Sequence, residues 1–132
     1  MPLPSDREAR NALPVWDGCL AYFPDAWAEI AKVSVAGNKQ HALGGKLRWE
    51  REVSTDHENK VMRHMLDHAA GQVMDSDGTF HLAKAAWRVL AALQLAIEAQ
   101  REVSFANGQT NSQDTQCNTW TGLRGTESEL PY

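Results

Sequence analysis

Three of the chain's five histidines, His57, His64 and His68, fall within twelve residues, with Asp67 among them. On a helix, at about 100° per residue, His57, Lys60, His64, Asp67 and His68 gather on one face. His64 and Asp67 are three apart and His64 and His68 four apart, so either pair could share one ligand or metal ion. A second set, Asp77, His81, Lys84 and Arg88, aligns in the same way further along the chain. Imidazole is the side chain most often recruited for metal binding and proton transfer near neutral pH. The competing reading is a pair of solvated helix faces, which is what most polar faces are. Composition weighs against it, because ordinary exposed faces favour Glu, Lys, Arg and Gln over clustered histidine.

Glu29 is the one acid among the apolar residues around it, where a carboxylate is costly unless paired or metal-bound. A partner in Lys32 or a nearby Arg is the alternative. Asp56 and Asp77 each have an alternative reading as helix-capping residues. Trp87 reads as core, whereas Trp49, in a loop, is the better candidate for contacting a ring. The chain has no Gly-x-x-x-x-Gly-Lys-Ser/Thr loop and no Gly-x-Gly-x-x-Gly. It also lacks a Gly-x-Ser-x-Gly elbow, and no His is followed directly by Asp. His64-x-x-x-His68 has a zinc-like spacing without the Glu of His-Glu-x-x-His.

The elements that would position these residues are helical. The first is expected from Pro24, where proline suits the opening position and Asp25 faces the positive end of the dipole. It runs through Ala36, with Gly37-Asn38 as the stop. The second opens at Thr55-Asp56-His57-Glu58, a capping-box pattern. Val61, Met62, Met65, Leu66 and Ala69 then form one apolar stripe, and Gly71 ends the helix. The third is expected from about Ser76-Asp77 to Gln100, with Leu82, Ala86, Leu90, Leu93 and Ile97 at helical steps. Residues 38–54 form a long connection carrying Gly44-Gly45, Lys46, Arg48, Arg51 and Trp49, and a loop of that length is more often working than idle. Residues 1–11 are expected to be an extension, 12–100 the helical domain, and 101–132 a polar, mobile tail that does not offset its ordering entropy.

Composition bounds the function. A chain of 132 residues suits one domain with one ordinary core. No apolar run approaches the ~20 residues of a membrane span. Met1 to Glu8 does not read as a secretory leader, so a cytoplasmic product is expected, in the host cytoplasm if phage-encoded. Cys19 and Cys117 stand far apart and read as reduced thiols. A net charge of −4 argues against a nucleic-acid or anionic-membrane partner. A polyphosphate ligand would therefore need a metal ion to supply positive charge.

Taken in order, Tyr22-Phe23-Pro24-Asp25-Ala26, Gly37-Asn38-Lys39-Gln40-His41, Trp49-Glu50-Arg51, Ser54-Thr55-Asp56-His57, Arg63-His64-Met65-Leu66-Asp67 and Asp75-Ser76-Asp77-Gly78-Thr79-Phe80-His81 precede Lys84-Ala85-Ala86-Trp87-Arg88. This set resembles the phage and bacterial dATP/dGTP diphosphohydrolase family, which is similar to the MazG-like, all-helical nucleoside triphosphate pyrophosphohydrolases. The likeness covers roughly residues 12 to 98. It implies an all-α bundle of the MazG-like type, completed by oligomerisation into a dimer or tetramer. The implied activity is hydrolysis of deoxynucleoside triphosphates, purines favoured, to monophosphate and pyrophosphate with Mg²⁺ or Mn²⁺. Carried onto this sequence, the metal ligands would be Glu29, His64, Asp67, Asp75 and Asp77. Arg63, Lys84 and Arg88 would contact phosphates, with His81 also on the substrate, and Asn38, His41 and Trp49 would line the nucleoside pocket. Glu29, Asp67 and His57 are the residues to orient and activate water.

The chain departs from the MazG pattern. Lys32 follows Glu29 where a second glutamate is usual, and His64 stands where an acid is usual. His41 is followed by Ala42-Leu43-Gly44 instead of the Asn-Pro-Gly of close relatives. The alternative function is a non-catalytic helical module that binds nucleotides or another protein.

Overall fold

A computed structural model of the chain describes residues 4–41 and 45–113. Among these residues the protein is all-α, with five α-helices: α1 (Arg7–Asn11), α2 (Val15–Gly18), α3 (Pro24–Gln40), α4 (His57–Ala69) and α5 (His81–Gln113). Short 3-10 turns lie at Leu20–Tyr22 and Arg51–Val53. The only β feature among the described residues is an isolated bridge between Met74 and Phe80. No described helix is long and apolar enough to cross a membrane.

The chain divides into two compact units, Met1–Leu95 and Ala96–Tyr132, with the boundary inside α5. Every candidate site residue belongs to the first. In the second, α5 continues to Gln113, past the expected end at Gln100, and Val103 and Phe105 are exposed. Cys117 and the rest of the expected tail beyond 113 lie outside the described residues. Residues 1–11, expected as an extension, contain α1, which Asp6 caps by accepting a 2.7 Å bond from the Ala9 amide.

α3 begins with Pro24 at its first turn, as expected, but it does not stop at Gly37-Asn38. Gly37 keeps helical geometry, and the last turn closes when the His41 amide donates to the Gly37 carbonyl. α4 starts at His57, without the expected capping box: no side chain caps it. The Asp56 carboxylate is taken instead by Lys60, whose Nζ lies 3.0 Å from Oδ1. Its end follows the sequence. Gly71 adopts φ +91°, Gly71 donates to the His68 carbonyl and Gln72 to the Asp67 carbonyl, which is a Schellman closure.

α5 starts at His81, later than expected, because residues 75–79 form a tight turn. Gly78 takes φ +79°, the Asp75 amide donates to the Thr79 carbonyl at 2.8 Å, and the Gly78 amide to the Asp75 carbonyl at 3.0 Å. Asp77 Oδ1 accepts from both the amide and the hydroxyl of Thr79. Asp77 therefore braces a turn and does not cap a helix.

Burial runs opposite to the usual pattern. The part of α4 turned towards the rest of the chain is the polar one: His57 is only 3% exposed, and Lys60, His64, Asp67 and His68 are partly buried. Met62, Met65 and Leu66 of the apolar stripe are exposed, Leu66 to 68%. α5 behaves alike. His81, Ala85 and Ala91 are buried, whereas Leu82, Leu90 and Leu93 are exposed. Among the described residues, the stripes that by periodicity belong in a core do not form one. The buried apolar residues among those described are Ala83, Ala85 and Ala91, and such small side chains let helix backbones approach closely.

Candidate functional site

The inward face of α5 meets the end of α3 and the segment that follows it around a cavity of about 360 Å³. Asn38 and His41, at the end of α3, lie on its wall with Trp49 of the following loop, and Lys84 and Arg88 of α5 lie there too. The helical course through Gly37 brings Asn38 to this wall. Five of the seven residues expected to touch substrate are thus brought together. Trp87 also lines the cavity, so it is more than the core residue expected. Its ring meets Trp49 edge-on, with centroids 5.8 Å apart, and its Nε1–H donates to Ser34 Oγ at 2.9 Å, tying α5 to α3.

One side of this cavity is cationic. Arg88 donates from Nη1 to Ser54 Oγ at 2.9 Å, and the same nitrogen lies 3.5 Å from His57 Nδ1. Ser54 also accepts from the Lys60 ammonium. Burial pulls the Arg88 pKa below its ordinary value, but a guanidinium stays charged at any physiological pH. Lys84 bridges two carboxylates, with Nζ 2.6 Å from Asp75 Oδ2 and 2.7 Å from Asp77 Oδ2. The Lys84 bond holds the Asp75 carboxyl down at about 2, with the Ser76 amide assisting. Burial tends to raise the Asp77 pKa, yet bonds from Lys84 and Thr79 outweigh it and lower the value. For Lys84, burial lowers the pKa and the two carboxylates more than restore it. All three groups are therefore ionised at neutral pH.

Next to this bridge lies a cluster that could hold a metal ion. His64 of α4, Asp75 of the turn and His81 at the start of α5 each offer a ligand atom within 4.8 Å of the others. Among the described residues no other group of three or more His, Cys, Asp or Glu is gathered in this way. The two Nδ1 atoms of His64 and His81 are 3.0 Å apart. Burial lowers the His64 pKa, and the nearby positive charge of Lys84 adds to the effect. His64 is thereby kept neutral, with a lone pair available. Asp67 Oδ2 lies 3.8 Å from His81 Nδ1 at the edge of the cluster. Two imidazoles and a carboxylate, mutually close and partly shielded from water, are a donor set suited to a divalent cation.

The remaining expected residues are placed differently. Glu29 is paired with Lys32 at 2.6 Å and belongs neither to the cluster nor to the cavity wall. Asp77 lies on the cavity wall as the second partner of Lys84, outside the three-residue cluster. Arg63 is exposed and reaches Asp56, His64 and Arg88 through charge. His81, expected at the substrate, sits instead with His64 and Asp75. His57 is buried with no partner on Nε2, and Asn38 Oδ1 on the cavity wall is likewise buried without one. Buried polar atoms are nearly always bonded, so the unpartnered Asn38 Oδ1 on the cavity wall is available to a ligand. Ser34 carries no periodic or motif signal, and only its contact with Trp87 discloses it; Ser54 stands in the string Ser54-Thr55-Asp56-His57, but its role as the partner of Arg88 shows only in the structure.

Fold and site together define an all-α protein with a cationic, tryptophan-walled cavity next to a His–Asp–His cluster. Residues 7–104 match the family model described as dATP/dGTP diphosphohydrolase, N-terminal, and the chain belongs to that family. No curated protein and no solved structure matches it.

Proposed function

We propose that the protein is a metal-dependent hydrolase of deoxynucleoside triphosphates, purines favoured, that releases the monophosphate and pyrophosphate. The observation that carries this is a single cavity wall on which Asn38, His41 and Trp49 meet Lys84 and Arg88. A base and sugar suit the amide and aromatic side, and a triphosphate suits the cationic one. The name of the family, dATP/dGTP diphosphohydrolase, carries the same purine substrates.

In this reading Arg88, pinned by Ser54, holds phosphate oxygens. Lys84 exchanges part of its contact with Asp75 and Asp77 for the polyphosphate. Asn38 uses its unpartnered carbonyl to accept from an exocyclic amine or ring N–H of the base. His57, next to Arg88 and unpartnered on Nε2, orients the attacking water or takes its proton. His64, Asp75 and His81 would hold the divalent cation, Mg²⁺ or Mn²⁺. When bound, it supplies positive charge that polarises phosphoryl oxygens and makes water more acidic. Hydrolysis consumes one water and breaks the bridge between the α and β phosphates. We also propose that the chain works as a homo-oligomer, dimer or tetramer, because its apolar helix stripes are otherwise left in water.

The test is incubation with each deoxynucleoside triphosphate and either Mg²⁺ or Mn²⁺, followed by separation of products. Monophosphate and pyrophosphate in equal amounts are expected, fastest for purines. Tripolyphosphate, or orthophosphate alone, would assign another hydrolase class. Nucleotide binding with no turnover would make the protein a binding module.

A further inference from the structure

We infer that His64, Asp75 and His81 form a binding site for a d-block dication of the Mn²⁺ type, with His81 as a ligand, and that this site discriminates against Mg²⁺. The spacing of the ring nitrogens is the first support. The two Nδ1 atoms are 3.0 Å apart, and neighbouring ligands on one ion, each about 2.1 Å from it at angles near 90–109°, are separated by about 3.0–3.4 Å. The pair thus already holds the separation that two ligands of one ion adopt, so little reorganisation is needed.

Placement is the second support. The three ligands come from α4, the turn and the first residue of α5, and two of them, Asp75 and His81, are fixed locally. Asp75 is held by its own turn, where Oδ1 accepts from the Ser76 amide and Oδ2 from Lys84. His81 is 4% exposed, and its amide donates to the Val73 carbonyl at 3.1 Å. The third support is charge. Lys84 pairs with Asp75 and Asp77, and Asp67 lies 3.8 Å from His81 Nδ1, so these three carboxylates outnumber the two cations, Lys84 and the exposed Arg63, whose charge also acts on His64.

Donor type sets the selectivity. Mg²⁺ demands an oxygen shell and sheds its water reluctantly, whereas imidazole nitrogen favours Mn²⁺ weakly and the later d-block ions more strongly. A site with two nitrogens and one carboxylate therefore ranks Co²⁺ and Zn²⁺ above Mn²⁺, and Mn²⁺ above Mg²⁺. The inference rests on the proposed function only in naming the metal of that reaction, since binding can be measured without turnover.

The experiment titrates the metal-stripped, full-length protein with MnCl₂, following loss of the free-ion paramagnetic resonance signal, in the presence and absence of a hundredfold excess of MgCl₂. Stoichiometric binding that survives the excess Mg²⁺ is expected. His64→Ala and His81→Ala should each weaken Mn²⁺ binding at least tenfold, with folding checked by circular dichroism. Because buried His81→Ala can unfold the chain, Lys84→Met supplies an independent reading: it frees Asp75 from its ammonium, and Mn²⁺ should bind more tightly. Displacement of Mn²⁺ by the excess Mg²⁺, or unchanged Mn²⁺ affinity in folded His64→Ala, overturns the inference, as does weaker binding in folded Lys84→Met. Retained Mn²⁺ binding with no nucleotide cleavage would overturn the proposed function alone.

Discussion

Arg88 is fixed before any ligand arrives. Its guanidinium is bonded to Ser54 at 2.9 Å and lies over the Trp87 ring at 5.3 Å, so its fork is pre-aimed at the cavity. A preorganised donor of this kind is worth about a hundredfold in rate when removed. Arg88→Met should therefore lower kcat/KM for a purine deoxynucleoside triphosphate by about that factor. Arg88→Lys should recover little, because an ammonium cannot reproduce the planar fork. Equal activity of the lysine variant and the native protein would remove Arg88 from phosphate binding. Gly37 gives a prediction of opposite sign for stability and binding. It lies in the last turn of α3 on the cavity wall, and a Cβ built there meets nothing within 4 Å. Gly37→Ala should raise stability by about 0.5–1 kcal/mol through helix propensity, seen as a higher melting temperature. The same methyl would occupy ligand space, so nucleotide affinity should fall several-fold. A stabilised variant with native affinity would place the nucleotide elsewhere.

The turn at residues 75–79 and α5 are joined by Lys84, whose ammonium holds both Asp75 and Asp77. A carboxyl depressed from 3.8 to about 2 in the folded protein stabilises it fully above the unfolded value and loses that contribution as pH falls towards the folded one. Melting of the metal-stripped protein should therefore show a stability loss between about pH 4 and 2, and Lys84→Met should flatten that stretch. A slope identical in both proteins would mean the bridge adds nothing to folding. This bridge also shows how far the sequence could be read. The histidine-bearing face of α4 was legible because its spacing is helical, and the collinear strings named Asn38, His41, Trp49, Lys84 and Arg88, which share one wall. The turn was not legible. Asp77 has a residue type that caps helices, and only the positive φ of Gly78 and the Thr79 contacts make it brace a turn instead. Gly37 misled in the other direction, since glycine ends helices often but tolerates helical φ wherever neighbouring residues continue the ladder. The direction in which each face points was the largest gap: periodicity defines two faces of α4 and does not say which one meets the rest of the chain.

At the scale of the molecule, that inverted burial needs a physical outlet. Met62, Met65 and Leu66 on α4, and Leu82, Leu90 and Leu93 on α5, are large apolar side chains at helical spacing left exposed, while the polar faces are committed inward to Arg88, Lys84 and the histidine cluster. Each fully buried leucine contributes about 1.5–3 kcal/mol, and a specific dimer buries about 800 Å² per partner. An isologous pairing of identical stripes is the simplest closed arrangement. Sedimentation of the native protein should accordingly give a species of at least twice 14.7 kDa. Leu66→Glu, which is 68% exposed in the single chain, should shift it towards monomer without unfolding it, because a glutamate costs little in water and much inside an apolar contact. The three cluster residues come from one chain, so the monomeric variant should still bind Mn²⁺ at native stoichiometry. A native protein that sediments as a monomer at micromolar concentration would leave the stripes uncovered by a second copy. A Leu66→Glu variant that stays assembled would move the contact away from α4.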